Sequence, residues 1–265
     1  MKIGFIGAGN MGGALAVAAA KSNNEIVLFD KSNEKAKDIA EKCNGFVSDL
    51  DNIIKNSDYI FLGVKPQVLP DLLIDIKQVL DTSDNKPVFI SMAAGTPIKK
   101  IEEVLGNDTP LLRIMPNLPV MYGEGVILLC KNKAATEENI KDFENFMACA
   151  GEIIPIEEKF IDAASAISGC GPAFVYMFIE ALADGGVSSG LTSELSLKLA
   201  AATLIGAATM ALESGKHPGK LKADVCSPGG TTIAGVRSLE EHNFRATAMD
   251  AVISSYKRTL ELAGK

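Results

Sequence analysis

The segment Lys2–Gly12 constrains this chain more than any other. KIGFI is an apolar run of strand length, Gly7-Ala8-Gly9-Asn10-Met11-Gly12 follows it without a gap, and the helical stretch MGGALAVAAA opens directly on it. A lone G-x-G-x-x-G is a weak signal, but between a strand and a helix it specifies a turn that cradles a pyrophosphate. Gly7 permits the tight turn, Gly9 lets the ligand approach the backbone, and Gly12 lets helix and strand pack closely. The helix start adds unbonded N–H groups and a positive dipole end. Gly7, Ala8, Gly9, Asn10, Met11 and Gly12 are therefore candidate cofactor residues. The cofactor expected is NADP(H) or NAD(H).

The alternation continues down the chain. Strands are expected at Lys2–Gly7, Glu25–Asp30, Asp58–Val64, Pro87–Ser91 and Leu111–Met115. Helices are expected at Asn10–Lys21, Ser32–Cys43, from Pro66 onward, and at Ile98–Leu105. Strands alternating with helices imply right-handed crossovers and a mainly parallel sheet. Gly125–Cys130 and Ile153–Ile156 add strands around a helix at 136–149. From about Phe160 strands disappear and helices are expected near 160–168, 172–187, 192–214, 218–225, 230–241 and 243–263. The fold class expected is an α/β N-terminal Rossmann-type domain, residues 1–160, plus an all-α C-terminal dimerisation domain, residues 161–265.

Self-association enters through helix 172–187, which is apolar on nearly every face. Such a helix must be covered on all sides. A small domain has little with which to cover it, so a two-fold copy of the same chain is the expected cover. The alternative is a central helix of a compact bundle.

Composition narrows the partners. A net charge of −7 argues against a nucleic-acid groove, which needs a basic face. Residues 1–9 do not read as a signal peptide. The richest apolar stretches, 172–187 and 195–212, contain Glu180, Asp184 and Lys198 and read as buried helices, with no membrane partner. Cys43, Cys130, Cys149, Cys170 and Cys226 are odd in number and widely spaced. They fit reduced thiols in the cytoplasm better than disulfides or a zinc site, and no metal is expected.

More candidates lie at the carboxyl ends of the strands, where open α/β sheets bind ligands. Asp30 ends the second strand, where an acid takes ribose hydroxyls and favours NADH; Lys31, Ser32 and Lys35 stand ready to hold a 2′-phosphate instead. Val64, Lys65 and Pro66 follow the third clear strand, and Ala93, Ala94 and Gly95 the next. Lys65 reads as a cofactor-side group, with a solvated surface lysine as the alternative. Asn117 is a candidate for ordering cofactor or substrate. His217 reads as a turn cap, and His242 as solvated.

Several segments together resemble pyrroline-5-carboxylate reductases. They are FIGAGNMGGALA (5–16), VKPQ (64–67), AAG (93–95), RIMPNLP (113–119), SGCGPAF (168–174), ALADGGV (181–187) and, most specific, DVCSPGGTTIAGV (224–236). The resemblance runs from residue 2 to about 260. It implies an active site between the two domains, completed across subunits, where a cyclic imine carboxylate takes a hydride from NAD(P)H. It also implies that Thr232 is the catalytic contact near the ring nitrogen. The N–H groups around Gly230, Thr231 and Thr232 would take the carboxylate, and Ser227 and Gly229 of the same turn join them as substrate-binding residues. Pro228 and two glycines just before a helix suit that task, since they expose successive N–H groups at a positive helix end. Ser168-Gly169-Cys170-Gly171-Pro172 is a second such opening, with Ser168 a candidate cap and either close packing or substrate contact as its role.

One position departs from the family pattern. Some relatives carry a glutamate two residues before the histidine of the H-P-G segment; here Gly215 stands there, so no general acid is carried over. The nearest rival plan, a β-hydroxyacid-type dehydrogenase, needs a lysine donor for its ketone in the helix after G-x-G, and helix 172–187 has none. A deazaflavin-dependent NADP reductase would share the front half but not SPGGTT. A non-catalytic dinucleotide-binding regulator would not need the second glycine-rich opening.

Overall fold

Apolar runs of four to seven residues alternate with helices through residue 155 because all but the partly exposed edge run Gly151–Pro155 are largely buried within one sheet. The computed structural model describes residues 1–262. In chain order the elements are β1 (Lys2–Ile6), α1 (Asn10–Ala20), β2 (Glu25–Phe29), α2 (Asn33–Cys43), β3 (Phe46–Val47), α3 (Leu50–Asn56), β4 (Tyr59–Leu62), α4 (Leu69–Leu80), β5 (Val88–Ser91), α5 (Ile98–Leu105) and β6 (Leu111–Pro116). A 3₁₀ turn (Leu118–Tyr122) leads to β7 (Gly125–Lys131), α6 (Glu137–Met147) and β8 (Gly151–Pro155). Helices complete the chain: α7 (Ile161–Ser168), α8 (Gly171–Ser188), α9 (Ser193–Glu213), α10 (Pro218–Val225), α11 (Thr231–Glu241) and α12 (Phe244–Leu262). The expected helix end at 263 and domain end at 265 lie outside the described residues.

The sheet runs β3-β2-β1-β4-β5-β6-β7-β8. All neighbours pair in parallel except β6 and β7, which the short 3₁₀ turn joins as an antiparallel pair. The carboxyl ends of β1, β2, β4, β5 and β6 therefore share one edge, where the candidate cofactor loops begin. Phe5, Phe61, Phe143 and Phe146 anchor one apolar layer, and Ile6, Ile60, Leu62 and Phe89 the other.

Two local expectations are corrected. The helix expected from Pro66 starts at Leu69, because Pro70 has no N–H to donate to the Pro66 carbonyl and is tolerated only in a first turn. Residues 44–57, read without structure, hold β3 and α3; Asp49 caps α3 by accepting from the Asn52 N–H at 2.7 Å.

The chain divides into two compact units: Met1–Cys170 with Tyr256 onward, and Gly171–Ser255. Helix α7 packs against β6 and β7 and is counted with the sheet. In the second unit α8 and α9 pack along each other, and a Cβ at Gly186 would press on the Ser196 hydroxyl. Otherwise α8 is bare: Ala183 is its one buried residue, and Tyr176 and Met177 are exposed. It is thus not the centre of a bundle within its own chain. By length and composition alone, Glu158–Ser188 and Ser193–Glu213 are also long and apolar enough to cross a membrane.

Candidate active site

In the first unit the glycine turn has the geometry its sequence requires. Gly7 adopts φ +108°, which a side chain would strain, and its N–H donates to the Phe29 carbonyl at 2.7 Å. A Cβ at Gly7 would press on the Gly63 backbone, and one at Gly12 on the Gly7 carbonyl oxygen. Both glycines are thus fixed by packing. Gly9 differs: a Cβ there meets no protein atom within 4 Å, so packing gives no reason for glycine. Gly9 precedes α1, and no side chain caps that helix. Open space over unbonded N–H groups fits a pyrophosphate. Ala8, Gly9 and Asn10 line a cleft of about 770 Å³ together with Lys35, Leu118 and Met121.

Asp30 is turned toward the turn. Its Oδ2 accepts from the Ala8 N–H and its Oδ1 from the Ser32 N–H, both at 2.8 Å. Lys31 beside it is exposed, as is Lys65. Pro66 and Gln67 meet Ala94, Gly95 and Thr96 around a second cleft of about 470 Å³. Val64 is half-buried, and Ala93 points into the core and offers a ligand only its backbone.

Asn117 is buried, and its carboxamide is engaged with backbone. Oδ1 accepts from the Val126 N–H and Nδ2 donates to the Ser168 carbonyl, each at 2.9 Å. Arg113 was absent from the candidate set, although it opens the RIMPNLP segment. It is a buried cation on β6, held by Glu158 at 2.9 Å and Asp162 at 3.3 Å. An arginine inside an otherwise apolar strand is the signal that could have found it. Beside it, burial and then the Glu158 charge push the Cys130 thiol up to about 11. Burial also raises Cys43, while Cys149 is exposed.

The second unit carries the other glycine-rich opening. Gly229 adopts φ +66° and the Gly230 N–H donates to the Ser227 carbonyl at 3.0 Å, closing a tight turn. Gly230 then starts α11, and no side chain caps it. The first-turn N–H groups of Thr231 and Thr232 therefore have no side-chain partner. Ser227, Gly229, Thr231 and Thr232 are exposed. His217 does cap α10: its Nδ1 accepts from the Gly219 N–H at 3.0 Å. Ser168 caps nothing, since its hydroxyl donates back to the Ala164 carbonyl at 3.3 Å and it ends α7 rather than opening α8. His242 is exposed, its Nδ1 2.8 Å from the Ser238 carbonyl. Glu180 and Asp184 are exposed.

Comparisons with known proteins bear on both halves. Residues 158–262 match the family model described as pyrroline-5-carboxylate reductase dimerisation, and residues 2–95 match the model described as NADP oxidoreductase, coenzyme F420-dependent. The chain is 43% identical to the pyrroline-5-carboxylate reductase of Arabidopsis thaliana over 99% of its own length and 95% of the relative's. Among solved structures it is similar to the pyrroline carboxylate reductase of Plasmodium falciparum with NADP bound, at TM-score 0.86 and 35% identity, covering 100% and 98% of the two chains. It is also similar to that of Coxiella burnetii, at TM-score 0.88 and 32% identity, covering 98% and 97%.

Proposed function

The chain belongs to the pyrroline-5-carboxylate reductase family, and from that premise we propose how its own residues carry out the reduction of 1-pyrroline-5-carboxylate to L-proline. It is an NAD(P)-dependent oxidoreductase that self-associates and acts on a small molecule. As functional halves we take residues 1–160 for the dinucleotide and 161–265 for substrate binding and dimerisation.

In this reading Gly7–Gly12 hold the pyrophosphate on the open N–H groups of α1. Lys31 lies on the 2′ side of the adenosine, while Val64–Pro66 and Ala93–Gly95 form the wall of the nicotinamide half through their backbone. Asp30 acts first as a brace for the glycine turn, as its two bonds to backbone suggest. The bound cofactor supplies the hydride. A protonated C=N carbon is already electrophilic, so the protein needs no nucleophile; it must grip the carboxylate and aim the imine carbon. Orientation alone is worth on the order of 7–11 kcal/mol in well-aligned systems.

The substrate grip falls to the turn Ser227–Thr232. One observation carries this assignment: α11 opens on Gly230 with its first N–H groups unclaimed by any side chain. A carboxylate is the natural occupant of such a tip. The Thr232 hydroxyl is placed near the ring nitrogen.

The bare apolar surface of α8 and α9 is covered by a second copy of the C-terminal domain rather than by lipid, in keeping with the dimerisation match over 158–262. The net charge of −7 argues against nucleic acid as the partner. The five cysteines, odd in number and widely spaced, fit a reducing compartment, and the cytoplasm is the location that reading favours.

The test is oxidation of NADPH and NADH with pyrroline-5-carboxylate, with a linear keto acid alongside. Turnover on the imine and none on the ketone is expected; the reverse would make this a hydroxyacid-type dehydrogenase. Thr232→Ala should cut turnover about tenfold, as a lost oriented contact does, and leave NADPH binding intact. Unchanged kinetics would remove Thr232 from the site.

A further inference from the structure

Helix α7 is eight residues long, too short to hold itself in place by its own hydrogen bonds. Two buried polar side chains, one on β6 and one just beyond it, hold it at both ends. Near its start Asp162 accepts from Arg113 Nη2 at 3.3 Å, and just ahead of it Glu158 accepts from Arg113 Nη1 at 2.9 Å. The same Glu158 oxygen also accepts from the Ile98 N–H at 2.7 Å, which ties in the start of α5. At its end, the Ser168 carbonyl accepts from Asn117 Nδ2 at 2.9 Å. Arg113 and Asn117 lie four residues apart on and just beyond β6. Burying an arginine and an amide is costly unless each is fully paired, and both are paired.

We propose that Arg113 and Asn117 form a two-point clamp that sets the position of α7, and with it the point from which the substrate-binding half of the chain departs. Gly171, the first residue of α8, follows Ser168 by three positions. A shift at α7 is therefore passed along the backbone toward the turn proposed to grip the substrate, while the glycine turn that holds the cofactor is untouched. Both are positioning residues for the reaction. The proposal rests on the functional reading above.

Asn117→Asp tests it. The aspartate still accepts from the Val126 N–H but has nothing to donate to the Ser168 carbonyl. Arg113→Lys is the companion, since Glu158 and Asp162 are held by two separate guanidinium nitrogens and one ammonium nitrogen cannot reproduce that planar, two-nitrogen geometry. For each, NADPH affinity should stay within about twofold while kcat on pyrroline-5-carboxylate falls about tenfold or more, the size of effect expected of misplacement rather than lost binding. Hydrogen exchange should speed up across residues 161–168 and stay unchanged in β1 and β4. NADPH affinity falling in step with kcat would make Asn117 a cofactor contact and overturn the clamp. So would full turnover in both variants, or unchanged exchange in α7. If Asn117→Asp does not fold, Arg113→Lys decides by the same split. An unaltered enzyme that turns over no imine would sink the functional reading instead, and the exchange data would still judge the clamp.

Discussion

The two compact units are built on opposite terms. In the first, Ile3, Phe5, Leu15, Phe61 and Phe89 have no exposed surface, and the central strands of the sheet are buried. In the second, Ala183, Ser196 and Ala200 are the buried residues among those described, while Met177, Ile205 and Leu212 are 70%, 69% and 76% exposed. Burying one large apolar side chain is worth about 1.5–3 kcal/mol. The first unit collects that stabilisation within its own chain. The second leaves it uncollected on nearly every helix. A domain of this kind has the make-up of half a core, and the match to a dimerisation domain over 158–262 supports a second copy as the other half.

The sharpest way to break this comparison is a charge on α8. Met177→Glu places a carboxylate where a second copy is expected to press, and an unpaired buried charge costs about 3–5 kcal/mol. The dimer dissociation constant should rise at least about a hundredfold, since each 1.4 kcal/mol is tenfold. Sedimentation velocity would follow the mass. Exchange protection should fall in α8 and α9 and hold in β1, β4 and β5. An unchanged mass would show that this face of α8 is not the one covered.

Within the first unit, two glycines of one motif should separate stability from binding. Gly12→Ala drives a Cβ into the Gly7 carbonyl oxygen, a backbone atom that cannot step aside cheaply. Overpacking of this sort costs about 1–3 kcal/mol, and the melting temperature should drop with it. Gly9→Ala meets no protein atom within 4 Å, so the melting temperature should hold while NADPH affinity falls. Equal melting losses in the two variants would mean that Gly9 is also there for packing, and would remove the room assigned to the pyrophosphate.

Legibility did not follow that divide. Ile98–Leu105, whose Ile98, Ile101 and Leu105 face one core, has the same ends in sequence and structure, but so does 218–225 in the second unit, where no residue of the helix is buried and Pro218 in the first turn marks the start. The short β3 and α3 were missed because Phe46–Val47 is an exposed two-residue edge strand and α3 spans only seven residues, although Asp49 three positions before Asn52 was a readable cap. The carboxyl-edge residues could be named because strand order puts them on one edge whatever their side chains do. What those side chains do could not. Asn117 was legible as an edge residue, but its bonds to Val126 and Ser168 depend on where β7 and α7 return, which no local pattern encodes. The Arg113 cluster is of the same kind: its acids lie 45 and 49 residues away in sequence.

Asp30 offers the finest distinction. Position alone makes it a ribose ligand that would favour NADH; geometry gives both of its oxygens a backbone N–H. A carboxylate has lone pairs to spare, so the two roles differ in their consequences rather than in their possibility. As a brace it acts on the turn common to both cofactors. Asn at this position can accept one of the two bonds and must turn an N–H toward the other donor. Losing one charge-assisted bond is worth roughly 1.5 kcal/mol at most sites, but part of this is recovered by water at a half-exposed edge. Asp30→Asn should therefore weaken NADH and NADPH together, each by about fivefold, measured as dissociation constants by fluorescence titration. A loss confined to NADH would return Asp30 to the ribose, and would mean that the front half holds its phosphate turn by the close packing of Gly7, Gly12 and Gly63 alone.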